Sequence, residues 1–153
     1  MAFLIWPPVL EIGHEQIDRE HCELVSLLNR AHAASVAGDQ AEALDVLLAL
    51  ERYTEIHFAH EEALMDEIAY EFTAIHCSEH RQLFFDVKNM IDDSSFGTTD
   101  VAAVSQFMQR WLLRHIAGPD LLLGEALARV GPTSLLPTSA GSYPLSGSVQ
   151  EGG

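Results

Sequence analysis

Two short stretches of this chain set imidazole and carboxylate at helical spacing. His57-Phe58-Ala59-His60-Glu61 places His57 and Glu61 four residues apart, and His76-Cys77-Ser78-Glu79-His80 gives His76 and His80 the same separation. On a helix such pairs project from one face, about 40° apart and one turn along. His115 is followed by Asp120, and a further histidine, His21, falls on an apolar stripe with Leu24, Val25 and Leu28. One such pair is a weak signal, because i, i+4 His/Glu and His/His pairs are common surface contacts. Four groups, each on or beside an apolar face, are a stronger one. Burying that many polar side chains without a shared partner costs several kcal/mol each. A metal centre removes that cost, because every group becomes a ligand.

The ligand inventory fits two ions. His21, His57, His76, His80 and His115 with Glu61 and Asp120 supply seven side chains. Carboxylates can bridge two cations, and a solvent-derived oxo or hydroxo group can be a third bridge. Imidazole with carboxylate suits iron better than soft-thiolate metals, and manganese favours more oxygen. Spacing alone does not separate iron from other metals. The pair His115 and Asp120 needs a further device, because five positions on a regular helix are about 140° apart. Gly118-Pro119 lies between them. Pro119 has no N–H for the carbonyl of His115, so the turn should kink or widen, and a widened, π-like turn sets i and i+5 on one side.

The elements that must position these groups read as four helices. The first is expected from near Asp18 to Gly38, an αL-type stop. The second begins at Asp39, with Glu42 three residues on as in a capping box, carries Leu44, Leu47, Leu48, Ile56 and Leu64, and runs to about Ala69. The third runs from near Thr73 to about Ile91. Asp92 to Thr99 is a turn-rich loop. The fourth runs from near Asp100 to about Val130, interrupted at Gly118-Pro119. No run alternates with period two between hairpin turns, so strands are not expected. The fold class is therefore all-α, an up-down-up-down four-helix bundle with helices ~30 Å long. Residues 1–14 form an N-terminal arm in which Trp6, Val9, Leu10 and Ile12 are expected to pack on the bundle. Residues 15–130 are the bundle. Residues 131–153, rich in Pro, Ser, Thr and Gly, are expected to be a flexible C-terminal tail.

Eight Lys+Arg against 23 Asp+Glu gives a formal charge of −15. Such a surface repels phosphate backbones and anionic lipid, so neither nucleic acid nor a membrane surface is expected as a partner. No apolar stretch is long enough to span a bilayer. The start of the chain lacks the basic region and unbroken apolar run of a signal peptide. Cys22 and Cys77 form no C-x-x-C pair and are expected as reduced thiols in a cytoplasmic protein. Monomer is the default expectation.

At this point the chain resembles the hemerythrin family, and most closely its single-domain bacterial branch. The matching segments are Ile17-Asp18-Arg19-Glu20-His21, Tyr53 through Met65 (YTEIHFAHEEALM), His76 through Phe84 (HCSEHRQLF) and Trp111 through Asp120 (WLLRHIAGPD), with Trp6 in the arm. The resemblance covers residues from about 6 to 130. It implies that His76, His80 and His115 hold a coordinatively filled iron, that His21 and His57 hold an iron with an open position, and that Glu61 and Asp120 bridge the two. It further implies reversible dioxygen binding, end-on at the open iron, with both irons passing between Fe2+ and Fe3+. By helical spacing Leu24, Val25, Tyr53, Trp111 and Leu112 are candidates to line an apolar dioxygen pocket, a role compatible with plain core packing. Oxygen carriage, storage or delivery without enzymatic turnover is the expected function. The protein that would receive the gas is unknown.

Rival readings each leave residues unused. His76-x-x-Glu79-His80 matches the H-x-x-E-H zinc protease pattern, with Glu79 as general base, but that leaves His21, His57, Glu61, His115 and Asp120 idle. Di-iron oxidases of the ferritin type use Glu on two helices and Glu-x-x-His on the other two, a different ligand set. Sensing of oxygen, nitric oxide or redox state competes with carriage, although sensors of this type carry a signalling domain and residues 131–153 are too short and polar for one. Of the remaining histidines, His14 is expected to be exposed, His32 to lie in the core or at its rim, and His60 to flank the site.

Overall fold

Residues 3–97 and 99–131 are described by a computed structural model of the chain. The expectation of a flexible tail lies outside the described residues from position 132 onward. Helix α1 spans Glu15–Ala37, α2 Gln40–Glu67, α3 Thr73–Ser95, α4 Val101–His115 and α5 Leu121–Val130. A π-helical turn, Ile116–Asp120, joins α4 to α5 so that they act as one rod. The result is an all-α up-down-up-down four-helix bundle, with no strand among the described residues.

Local chemistry explains the boundaries. Asp39 caps α2 by accepting from the Glu42 amide at 3.0 Å, and Asp100 caps α4 by accepting from Ala103 at 3.0 Å, each satisfying an amide that has no partner inside the helix. Gly38 ends α1 in the left-handed region at φ 67°, which glycine adopts without a Cβ penalty. The third helix runs four residues beyond the expected Ile91. Ser94 and Ser95 turn back to the carbonyls of Met90 and Ile91 at 2.7 and 3.0 Å, so residues expected to break the helix extend it.

The start of α1 corrects two expectations. The helix begins one turn before Asp18, and its cap is His14, whose ring Nδ1 accepts from the Ile17 amide. His14 is therefore half-buried rather than exposed. The Asp18 carboxylate instead accepts from the amides of Ile12 and Gly13 at 2.7 and 3.1 Å, tying the arm down. At the other end of the arm Leu4 and Asn29 exchange two hydrogen bonds of 2.7 and 2.8 Å. Trp6 and Leu10 pack on the main core and Ile12 is buried, but Val9 points outward and is 76% exposed. Pro8–Leu10 form a single 3-10 turn that rotates Val9 away from the bundle.

Two apolar layers lie above and below the histidines. The larger includes Leu24, Leu28, Leu47, Leu50, Leu83, Val104, Met108 and Leu112. The smaller is built from Ile12, Ile17, Met65, Tyr70, Leu123, Ala126 and Leu127. Ile56, counted on the apolar stripe of the second helix, is exposed, being one position from His57 and so about 100° around the helix from it.

A candidate metal centre between four helices

The seven residues singled out in the sequence converge in one place. His21 comes from α1, His57 and Glu61 from α2, His76 and His80 from α3, His115 from the end of α4 and Asp120 from the π-turn. None is more than 3% exposed. They form two overlapping groups of ligand atoms, His21, His57, Glu61 and Asp120 in one, and Glu61, His76, His80, His115 and Asp120 in the other. Within each group the atoms lie within 4.8 Å of one another.

The carboxylates belong to both groups, and each divides its oxygens between them. Glu61 Oε1 is 3.1 Å from His57 Nε2 and 3.4 Å from His21 Nε2. Its Oε2 is 3.0 Å from His80 Nε2 and 3.5 Å from His76 Nε2. Asp120 Oδ2 is 3.0 Å from His21 Nε2, while its Oδ1 is 3.0 Å from His76 Nε2 and 3.1 Å from His115 Nε2. These atoms are close without being hydrogen-bonded. The Nε2 atoms of His21, His76, His80 and His115 and all four carboxylate oxygens are buried with no hydrogen-bond partner. A buried polar atom left in that state costs about 1–3 kcal/mol. Lone pairs crowded together in pairs of groups are the donor set of two cations bridged by carboxylates.

Electrostatics points the same way. Burial disfavours charge on His57, His76, Glu61 and Asp120, yet their charged neighbours outweigh it. Although burial pushes the His57 imidazole down, the Glu61 carboxylate and the bond to Glu20 raise it to about 10. His76 is likewise raised to about 9 by Asp120 and Glu61, against burial. Burial and mutual repulsion would raise Glu61 and Asp120, but the facing imidazoles hold both well below the usual carboxylate range. The two carboxylates thus favour positive charge beside them, which bound cations would also supply.

The chain is a member of the hemerythrin family. The family model described as the hemerythrin HHE cation binding domain matches residues 12–127. The chain is 33% identical over 120 residues to a bacteriohemerythrin of Stenotrophomonas maltophilia (strain R551-3), covering 78% of each chain. It is 31% identical to a bacteriohemerythrin of Pseudomonas aeruginosa (strain LESB58) over the same shares. A crystal structure of wild-type hemerythrin superposes with a TM-score of 0.75 at 26% identity, covering 83% of this chain and 99% of that one. Hemerythrin membership implies a non-haem di-iron site, and the donor set found here fits one.

The residues that orient the hemerythrin histidines were not legible in advance. Glu20 on α1 accepts from His57 Nδ1 on α2 at 2.6 Å. Glu62 on α2 accepts from His80 Nδ1 on α3 at 2.9 Å, and Glu79 on α3 accepts from His115 Nδ1 on α4 at 2.9 Å. Each helix so supplies a carboxylate to a histidine of the next. Each carboxylate stands one position from a residue of the metal groups, which is the signal that could have found it. Such outer partners fix ring orientation and tautomer. Glu79, the general base of the zinc protease reading, is engaged with His115 on the outside of the site.

Aromatic rings complete the surroundings. Phe58 stacks on His80 at 3.7 Å, Trp111 stacks on His115 at 4.6 Å, and Trp6 from the arm lies 5.8 Å from His21. Of the candidate pocket residues, Leu24, Val25 and Leu112 are buried. Trp111 sits against the three-imidazole group instead of the two-imidazole group. Tyr53 lies at a surface groove with Gln16, Glu20 and Cys22, and burial together with Glu20 and Glu23 pushes its phenol up to about 12.

Proposed function

We propose that this chain binds dioxygen reversibly at a di-iron centre, for oxygen carriage, storage or delivery rather than catalysis. His76, His80 and His115 would hold one iron and His21 and His57 the other, with Glu61 and Asp120 offering an oxygen to each. The observation that carries the reading is the division of each carboxylate's two oxygens between two imidazole groups of unequal size. The smaller group has one side chain fewer, so the open position belongs there. An iron pair held by these residues would supply the two electrons that reversible dioxygen binding needs.

The chain's own residues account for reversibility. Imidazoles outnumber carboxylates five to two, which leaves the centre less electron-rich than a carboxylate-dominated one and favours release over O–O cleavage. Leu24 and Val25, about one turn along α1 from His21, are buried, and Trp6 from the arm lies 5.8 Å from His21. Water exclusion of this kind slows loss of the ferrous state. A site whose ligands are all buried also suits a diatomic gas better than an organic substrate, which supports binding over oxidase chemistry.

The deciding experiment is an anaerobic reconstitution with ferrous iron followed by cycles of air and argon. Two irons per chain and a visible band that appears in air and vanishes under argon are expected. A colourless protein in air, or a band that never reverses, overturns the reading.

A further inference from the structure

His60 belongs to neither group of metal-facing atoms, yet it is bound to the residue that orients one of them. Its Nδ1 lies 2.6 Å from Glu20 Oε1, while Glu20 Oε2 lies 2.6 Å from His57 Nδ1. Gln16 Nε2 lies 3.2 Å from the same Oε1 and 3.1 Å from His60 Nδ1. Since His60 Nδ1–H donates to Glu20, the Gln16 amide donates to Glu20 as well. The Glu20 carboxylate is thus held on both oxygens, and its side chain is only 13% exposed. The corresponding carboxylates of the other group differ. Glu62 and Glu79 each hold a single imidazole and are 44% and 43% exposed.

The difference falls where it matters. The smaller group has only two imidazoles, and one of them, His21, has a buried Nδ1 with no hydrogen-bond partner. No outer hydrogen bond to Nδ1 sets its ring. Of the two imidazoles in the smaller group, His57 is therefore the one whose ring is set by an outer hydrogen bond, and that bond is to Glu20. A carboxylate on a surface helix has rotamers that lose this contact, and ordering it has an entropic cost. His60, one turn along the same face of α2 as His57, removes that freedom.

We infer that His60 is a positioning residue: by fixing Glu20 from outside, it fixes the His57 imidazole and so tunes the iron held by His21 and His57 separately from its neighbour. The inference rests on the di-iron reading above. It is specific to one iron, which a general contribution to folding is not.

The test uses the full chain with isotopically labelled histidine. In the metal-free wild type, imidazole nitrogen spectra should show His60 carrying a proton on Nδ1. A neutral ring protonated on Nε2 alone overturns the inference without any variant. Ferrous iron is then added anaerobically at buffered free concentrations while the assigned histidine signals are followed. In His60→Leu, the signals of His21 and His57 should respond only at ~10–100-fold higher free iron, the usual loss when an outer partner is removed. Those of His76, His80 and His115 should respond as in wild type. His60→Gln, which keeps an N–H toward Glu20, should recover the wild-type order. Equal weakening of both groups, or none, overturns the inference alone. A wild type that takes up fewer than two irons overturns the di-iron reading and this inference with it.

Discussion

His115 Nε2 and Asp120 Oδ1 lie 3.1 Å apart although five residues separate them in sequence, because the chain between them makes a π-turn. A regular helix would rotate Asp120 about 100° per residue and carry it off the bridge. Pro119 contributes by lacking the N–H that a regular turn would direct to the carbonyl of His115. Replacing it restores that donor and lets the segment tighten. Pro119→Ala is expected to lower iron content below two per chain while leaving α4 and α5 helical. Iron analysis with far-ultraviolet circular dichroism checks this. Unchanged iron would mean that packing around Ile116 and Leu123, both buried, holds the wide turn without help from proline.

Metal occupancy and stability should move together. Ligation gives the buried imidazole and carboxylate atoms that lack hydrogen bonds a shared partner, so binding energy becomes folding energy. At free iron a hundredfold above its Kd, mass action alone adds about 2.7 kcal/mol, several degrees of melting temperature for a chain of this size. His76→Ala or His115→Ala is expected to lose iron and melt near the temperature of chelator-treated wild type. Calorimetry of loaded and stripped protein measures the gap, and equal melting points for loaded wild type and either variant would contradict it.

Iron uptake should release protons. His57 and His76 sit above their ordinary value, at about 10 and about 9, so at pH 7 the metal-free protein holds protons that ligation must displace. Since the metal-free state binds more protons, raising the pH favours the loaded state, and apparent affinity should climb until these groups have titrated. The same shifts act on folding. A histidine raised in the folded state contributes stability that is fully present below about 6.5 and is lost as pH rises through its folded value. Metal-free protein should therefore melt lower at pH 10 than at pH 7. A lightly buffered anaerobic titration with a pH indicator reads the proton release directly, and zero release at pH 7 would contradict the argument.

Much of this was legible because ligand spacing and helical period are local. His57 with Glu61, and His76 with His80, share a face whatever surrounds them, and the odd separation of His115 and Asp120 pointed to a widened turn at Gly118-Pro119. What escaped was non-local. Glu20, Glu62 and Glu79 look like any surface glutamate until a neighbouring helix brings an imidazole to them. His14 looked like an exposed residue before a helix, and only the tethering of the arm to Asp18 makes it the cap. Val9 has the composition of a packing residue, but a single 3-10 turn decides which way it points. Trp111 stacks on His115, and spacing along one helix does not say which of two neighbouring imidazole groups a ring will meet.

The arm itself makes the last test. Gly124 on α5 lies against it so closely that an added Cβ would stand 2.5 Å from the Ile12 carbonyl oxygen and 2.7 Å from the Ile12 Cβ. The nearest atom is backbone, which cannot rotate away as a side chain tip does. Gly124 is helical, so alanine suits its conformation and by propensity alone would stabilise by about 1 kcal/mol. The clash should win, since overpacking costs about 1–3 kcal/mol and pushing Ile12 outward strains its bond to Asp18 at 2.7 Å. Gly124→Ala is expected to unfold at lower denaturant and to expose Ile12 to protease. Because Trp6 on the same arm lies 5.8 Å from His21, the variant should also lose its ferrous state faster in air. Urea unfolding and the decay of the oxygenated band measure the two effects. A variant as stable as wild type would show that the arm slides to make room, and an unchanged decay would show that Trp6 does not shield the site.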